Sequence, residues 1–116
     1  MENNEVLTNL NELLENVLSK AISSEEQFTI ASASFMLASW NRLEGNYSLS
    51  SQFYLESAVA FSSISDKEDK AAESLFLATE SFISGNMIAD AESIVIKMES
   101  TYPNSKWTKD ARNLLK

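Results

Sequence analysis

The chain has 116 residues, nine Lys and Arg against 17 Asp and Glu, a formal charge of −8, and neither His nor Cys. That length accommodates one domain with a continuous core of modest size. The acidic balance repels phosphate backbones and speaks against a nucleic-acid partner; the missing His and Cys remove the commonest general base, thiolate chemistry, disulfides and most transition-metal ligands.

Two Gly and one Pro among abundant Ala, Leu, Glu and Ser favour long helices with short connections. Residues 3–21 predict an amphipathic helix, with Val6, Leu10, Leu13, Leu14, Val17 and Ala21 at helical spacing. Ser23 and Glu26 have the spacing of a capping box and open a second helix to about Glu44, carrying Phe28, Ala31, Phe35, Ala38 and Leu43. Gly45 suits the left-handed conformation that ends a helix. Asn46 or Ser48 caps the third, which runs to about Ile64 with Leu49, Phe53, Tyr54, Ala58 and Phe61. Ser65 and Glu68 form another capping-box spacing for the fourth, which ends at Gly85 with Asn86 as the next cap. The fifth, to about Thr101, presents Ala91, Ile94, Val95 and Met98 until Pro103 stops it. Ser105 caps a short last helix with Trp107, Ala111, Leu114 and Leu115.

No period-two alternation asks for a strand. The expected fold is all-α, one domain of about six helices, each antiparallel to the next. No run approaches the roughly 20 apolar residues of a membrane span, so no membrane association is expected. MENNEVLTNL is acidic where a secretory signal carries Lys or Arg, which points to a cytoplasmic address.

Sliding the sequence by 40 residues brings Ala31, Ser34, Leu37, Ala38, Gly45 and Asn46 onto Ala71, Ser74, Leu77, Ala78, Gly85 and Asn86. Those are six identities in sixteen positions, with small and large residues kept apart. A fixed period of this length is the signature of a helical repeat. It divides the chain into a capping helix (1–22), units at 24–64 and 66–104, and a half-unit helix at 105–116. Ala38 and Ala78 would let a partner helix approach closely, as would Ala91 from the opposite helix.

Here the chain resembles the tetratricopeptide repeat family. That family pairs Leu-Gly/Ala with an aromatic residue in its first helix, then a Gly at the turn, an Ala early in the second helix and a closing Pro. The matching residues are Leu77, Ala78, Phe82, Gly85, Ala91 and Pro103. The segment Tyr102-Pro103-Asn104-Ser105-Lys106-Trp107 is similar to the repeats of bacterial outer-membrane assembly lipoproteins and Tol–Pal coordinators. The usual repeat is about 34 residues; the longer offset here places one extra residue between Gly85 and Ala91. Without a lipoprotein cysteine or a signal, the envelope role does not carry over. The resemblance implies a solenoid of helical hairpins that binds other proteins. It also implies that the first helix of each unit lines an inner groove, with Met36, Ser39 and Arg42, then Phe76, Thr79 and Phe82.

Little else in the sequence carries chemistry. Glu25/Glu26 and Asp66/Glu68/Asp69 fall at predicted helix starts, where carboxylates complement the dipole. Asp66 to Lys70 lacks the glycine of a calcium loop, and two glycines cannot build a phosphate loop. No catalytic residue, metal or cofactor is expected, and the chain reads as a non-enzyme. The expected partner is a protein segment, or another copy of the chain held through the first helix or an unfinished C-terminal end. Two further readings are an acidic decoy that occupies a basic nucleic-acid-binding surface and a structural subunit of a larger assembly. Charge is uneven: six Glu against Lys20 in residues 1–30, and Lys106, Lys109, Arg112 and Lys116 against Asp110 at the other end.

Overall fold

Helix breakers and small residues set both the element boundaries and the layering. A computed structural model describes residues 9–16 and 26–116. Residues 9–16 are helical (α1); the rest of the predicted first helix and Ser23 of the first capping box lie outside the described residues. Five helices follow: α2 (Gln27–Leu43), α3 (Tyr47–Ser62), α4 (Glu68–Ser84), α5 (Ile88–Thr101) and α6 (Lys106–Leu114). The fold is all-α, with no strand among the described residues. No helix among them is long and apolar enough to cross a membrane.

The ends of α2 and α4 are built alike. Asn46 N–H bonds to the Asn41 carbonyl at 2.8 Å and Gly45 N–H to that of Arg42 at 3.1 Å. Met87 N–H repeats the first bond to Phe82 at 2.7 Å and Asn86 N–H the second to Ile83 at 2.9 Å. Both are the paired closure that satisfies the last carbonyls of a helix around one left-handed residue. That residue is Gly45 (φ 80°) in the first turn, as expected, but Asn86 (φ 61°) in the second. Gly85 has φ −86° and needs no left-handed freedom. It is small for another reason: a Cβ there would lie 2.7 Å from Met87 Cε and 3.0 Å from Tyr47 Cβ. The turn therefore sits one residue later than the 40-residue offset implies, and Met87, not Asn86, precedes α5. The Ser65–Glu68 capping box does not form. Asp66 takes the left-handed conformation (φ 72°), and α4 starts at Glu68 behind Lys67 with no side-chain cap. Ser105 does cap α6, accepting from Trp107 N–H at 3.1 Å.

Two layers result, with α2, α4 and α6 on one side and α3 and α5 seated between them on the other. The molecule is 18 Å through its thinnest axis, about two packed helices. Tyr54 of α3 packs on Ala38 and Ala78 together, and Phe61 packs on Ala31 and Ala71. The alanines at the repeat offset are thus the floor on which α3 rests.

Much of this interior is serine. Ser34, Ser50, Ser51, Ser57, Ser74 and Ser81 are fully buried. Ser57 Oγ donates to the Ala31 carbonyl and Ser50 Oγ to the Ala38 carbonyl, each at 2.8 Å, tying α3 to α2. Ser50 and Ser81 hydroxyls also meet at 3.1 Å, joining α3 to α4. Ser51 and Ser74 bond back to their own helices. Ser34 Oγ has no partner among the described residues. Around α5, Val95 and Met98 cluster instead with Leu75 and Ala111.

Of the three residues that suggest a bare C-terminal end in the sequence, Leu114 is exposed, while Trp107 and Leu115 are partly covered. Leu115 and Trp107 are half-buried against the Val95–Met98 cluster. The exposed side of α6 carries Lys106, Lys109, Asp110, Arg112 and Asn113 together with Leu114, and Arg112 pairs with Glu99 of α5. That surface is mostly polar.

Candidate protein-binding face

The open side of the α2, α4 and α6 layer holds the candidate site. Met36 is 50 % exposed near the middle of α2. Ser39 is half-buried, its hydroxyl bonded to the Phe35 carbonyl (3.0 Å) and to Tyr54 Oη (3.1 Å). Arg42 reaches across to Glu80 of α4 at 3.2 Å. Phe76 is half-buried against Trp107 of α6, with ring centroids 5.3 Å apart and planes tilted by 43°. These four predicted residues lie at or beside the open face.

Thr79 and Phe82 do not. Thr79 is fully buried, its hydroxyl bonded to the Leu75 carbonyl at 2.9 Å, and Phe82 is 8 % exposed. The reason is rotational. Each residue turns a helix by about 100°, so a step of three falls about 60° short of a full turn. A line drawn through positions 76, 79 and 82 therefore swings off the open side. α4 is also packed by α3, α5 and α6, which leaves only a narrow strip uncovered. That strip is Glu73, Phe76, Leu77, Glu80 and Ser84. Spacing by three and four, in place of a constant three, would have found it.

The seam between α2 and α4 is held by cations that the sequence did not reveal as partners. Lys67 Nζ stands 5.8 Å from the centroid of the Phe28 ring and Lys70 Nζ 5.0 Å from that of Phe35. Lys70 also bonds to Glu73 at 3.1 Å, and Phe35 meets Tyr54 edge-on at 5.4 Å. Next to Arg42 is an open cleft of about 530 Å³ lined by Ser39, Arg42, Leu43, Tyr47, Tyr54 and Ser84.

The charges on this face are mostly matched, Arg42 to Glu80 and Lys70 to Glu73. Beside them lies apolar surface at Met36, Phe76 and Trp107, with Lys106 Nζ 4.6 Å from the centroid of the Trp107 ring. No group of acidic residues among the described residues is placed to hold a metal ion. Glu68 and Asp69 lie in the first turn of α4, where the sequence expected them to serve the helix dipole. The two groups with displaced acidity are elsewhere. Burial pushes the Glu56 carboxyl up, and burial with the nearby Glu68 charge pushes the Tyr102 phenol up. Comparison with family models, with curated proteins and with solved structures finds no match in any of the three.

Proposed function

We propose that this chain is a small, non-enzymatic protein-interaction module of tetratricopeptide-like build, which takes a protein segment on its α2, α4 and α6 face. One observation carries the reading. Along that face Arg42 and Lys70 are paired with Glu80 and Glu73, while Met36 is exposed and the half-buried Phe76–Trp107 pair keeps part of its apolar surface in contact with water. An apolar strip rimmed by polar groups favours a helix or peptide docked by packing. Net charge then sets the rate of encounter more than the strength of the complex.

The test compares proteins captured from native extract by the parent and by Met36→Glu. Met36 is exposed, so the variant keeps its fold, checked by circular dichroism. Proteins held by the parent and lost by the variant are the expected result; an identical set on both would remove the face from consideration. The capture is repeated between about 0.1 and 1 M salt, over which the screening length falls from about 10 to 3 Å. Persistence at high salt supports docking by packing. Collapse of all binding would favour the acidic-decoy reading, in which the −8 charge is the determinant.

A further inference from the structure

The first and last helices carry opposite charge. In α6, Lys106, Lys109 and Arg112 stand against Asp110. Cations in the last turn of a helix complement its dipole, and Arg112 alone is there. Lys106 opens α6, where a cation opposes the dipole, and lies over the Trp107 ring. Lys109 is exposed in mid-helix, about 160° around α6 from Trp107 and so turned away from the open face. The reverse holds in α1, where residues 9–16 include Glu12 and Glu15 and no cation. Both carboxylates are exposed, on the opposite side of α1 from the half-buried Leu10 and Leu14. Lys109, Glu12 and Glu15 form no ion pair among the described residues. Between these ends, α4 and α5 are acidic, with one Lys each.

We propose that copies of the chain join end to end, the Glu12 and Glu15 side of α1 in one copy against the Lys109 side of α6 in the next. The two surfaces stand at opposite ends of the layer. Phe35 marks the side of α2 that faces α4, since Lys70 Nζ stands 5.0 Å from its ring. Ala33 and Leu37 lie about 160° around the helix from it and face away from α4. They are buried all the same, and the half-buried Leu10 and Leu14 of α1 are the surface that meets them. α1 thus closes the flank of α2 and turns its carboxylates outward, while α6 closes the far end. Charge selects a second copy as the occupant, because the chain itself supplies both halves of the contact. Distance decides against the net repulsion. Joined through their ends, two copies hold their centres about 34–40 Å apart, the two longer dimensions of the molecule. At 0.1 M salt the screening length is about 10 Å, so the −8 charges are largely hidden from each other while groups in contact attract. A contact between unlike surfaces leaves one acidic and one basic end free, so assembly runs past the dimer. Exposed ion pairs are individually weak, so it does so only at high concentration.

Sedimentation velocity on the purified chain in 0.1 M salt, from about 10 μM to about 1 mM, reads the association by mass action. The mass is expected to pass that of a dimer, and to return to the monomer in about 1 M salt, where the screening length is about 3 Å. A parent that stays monomeric in 0.1 M salt, stops at the dimer or keeps its mass in 1 M salt overturns the proposal. Lys109→Glu should raise Kd at least ~10-fold. Lys97→Glu, the same charge change at an exposed site on α5, should associate like the parent. The double variant Glu12→Lys/Glu15→Lys moves the net charge toward zero and so reduces general repulsion, yet it too should lose association. Equal behaviour of Lys109→Glu and Lys97→Glu, or unchanged association of the double variant, would overturn the contact. The decisive sample mixes Lys109→Glu with the double variant. Neither associates alone, and together the reversed α1 of one meets the reversed α6 of the other, so association returns. A mixture no heavier than its parts would sink the idea and leave α6 to an acidic segment of another protein. Circular dichroism checks that each variant keeps its fold. Met36, Phe76 and Trp107 are unchanged throughout, so this contact and the proposed docking on the open face can fail separately.

Discussion

Counted from its first residue, the second helix of each hairpin turns its fourth, eighth, eleventh and fifteenth positions inward. In α3 these are Ser50, Tyr54, Ser57 and Phe61; along α5 and just beyond it they are Ala91, Val95, Met98 and Tyr102. The backbone plan is shared, down to the paired bonds that close the preceding helix. The interiors differ. The first hairpin is joined by hydroxyls donating to the carbonyls of Ala31 and Ala38. The second is filled by Val95 and the fully buried Met98. The shared helix spacing thus dictates which positions face inward and leaves open whether hydrogen bonding or volume fills them. Serine works because it is barely larger than alanine and carries a donor that a nearby backbone oxygen can accept.

Three substitutions break or sharpen this contrast. Met98→Ala should be the most damaging, at about 2–5 kcal/mol, since it empties a closed site between α4, α5 and α6. Chemical denaturation measures it, and a loss below about 1 kcal/mol would mean that the second hairpin is not held by volume. Installing the second hairpin's residue in the first, Ser57→Met, should cost about 1–3 kcal/mol by overpacking the close approach of α3 to α2. Ser57→Ala, which keeps the space and deletes the donor, should cost only about 0.5–1.5 kcal/mol. If the methionine variant proves as stable as the parent, the two interiors are interchangeable.

The turns give a smaller effect. Gly45→Ala forces a Cβ onto a residue at φ 80° and should cost about 1–2 kcal/mol. Gly85→Ala meets no backbone penalty but strikes Met87 and Tyr47, so the added change Met87→Ala should recover part of its loss and none of Gly45→Ala's. Equal rescue of both would show that the glycines act alike.

The smallest effect belongs to Glu56, on the half of the molecule where hydroxyls supply the polar contacts. Its carboxyl is raised by burial. An acid raised in the folded state binds protons more tightly there than in the unfolded chain. Its contribution to stability therefore falls as pH rises from the unfolded value, about 4.3, through the folded one. Glu56→Gln should accordingly be slightly more stable than the parent at pH 7, and the advantage should fade below about pH 4. Thermal melts at the two pH values read the sign; a variant less stable at pH 7 would show that burial does not govern this group.

The layering was legible in the sequence because alanine spacing, Gly45, Pro103 and Ser105 each act locally, within a turn or two of chain. The serine interior was not. A hydropathy reading puts Ser50 and Ser57 on the polar side, and only a carbonyl on another helix, at the Ala38 or Ala31 position, makes their burial favourable. The open side of the α2, α4 and α6 layer was half legible. Met36 and Arg42 are on it, but Thr79 and Phe82 were swept off by a three-residue step, and the Arg42–Glu80 pair depends on how two non-adjacent helices sit in one layer. Asn86 in the left-handed position was hidden by the glycine before it, which is required for space and not for its backbone freedom.

The hydroxyl bonds of the first hairpin also have a mechanical side. A bond from Ser57 to one particular carbonyl fixes α3 along the axis of α2, because sliding by a residue would strand the donor against hydrocarbon. A methionine among leucine, valine and alanine surfaces keeps nearly the same contact over a short slide, since dispersion has little directionality. Shear along the helix axes is therefore resisted at the first hairpin and yielding at the second. A load drawn through the chain, or a guest wedged against α4, would be taken up by α5 moving past α4 while α2 and α3 travel as one rigid piece.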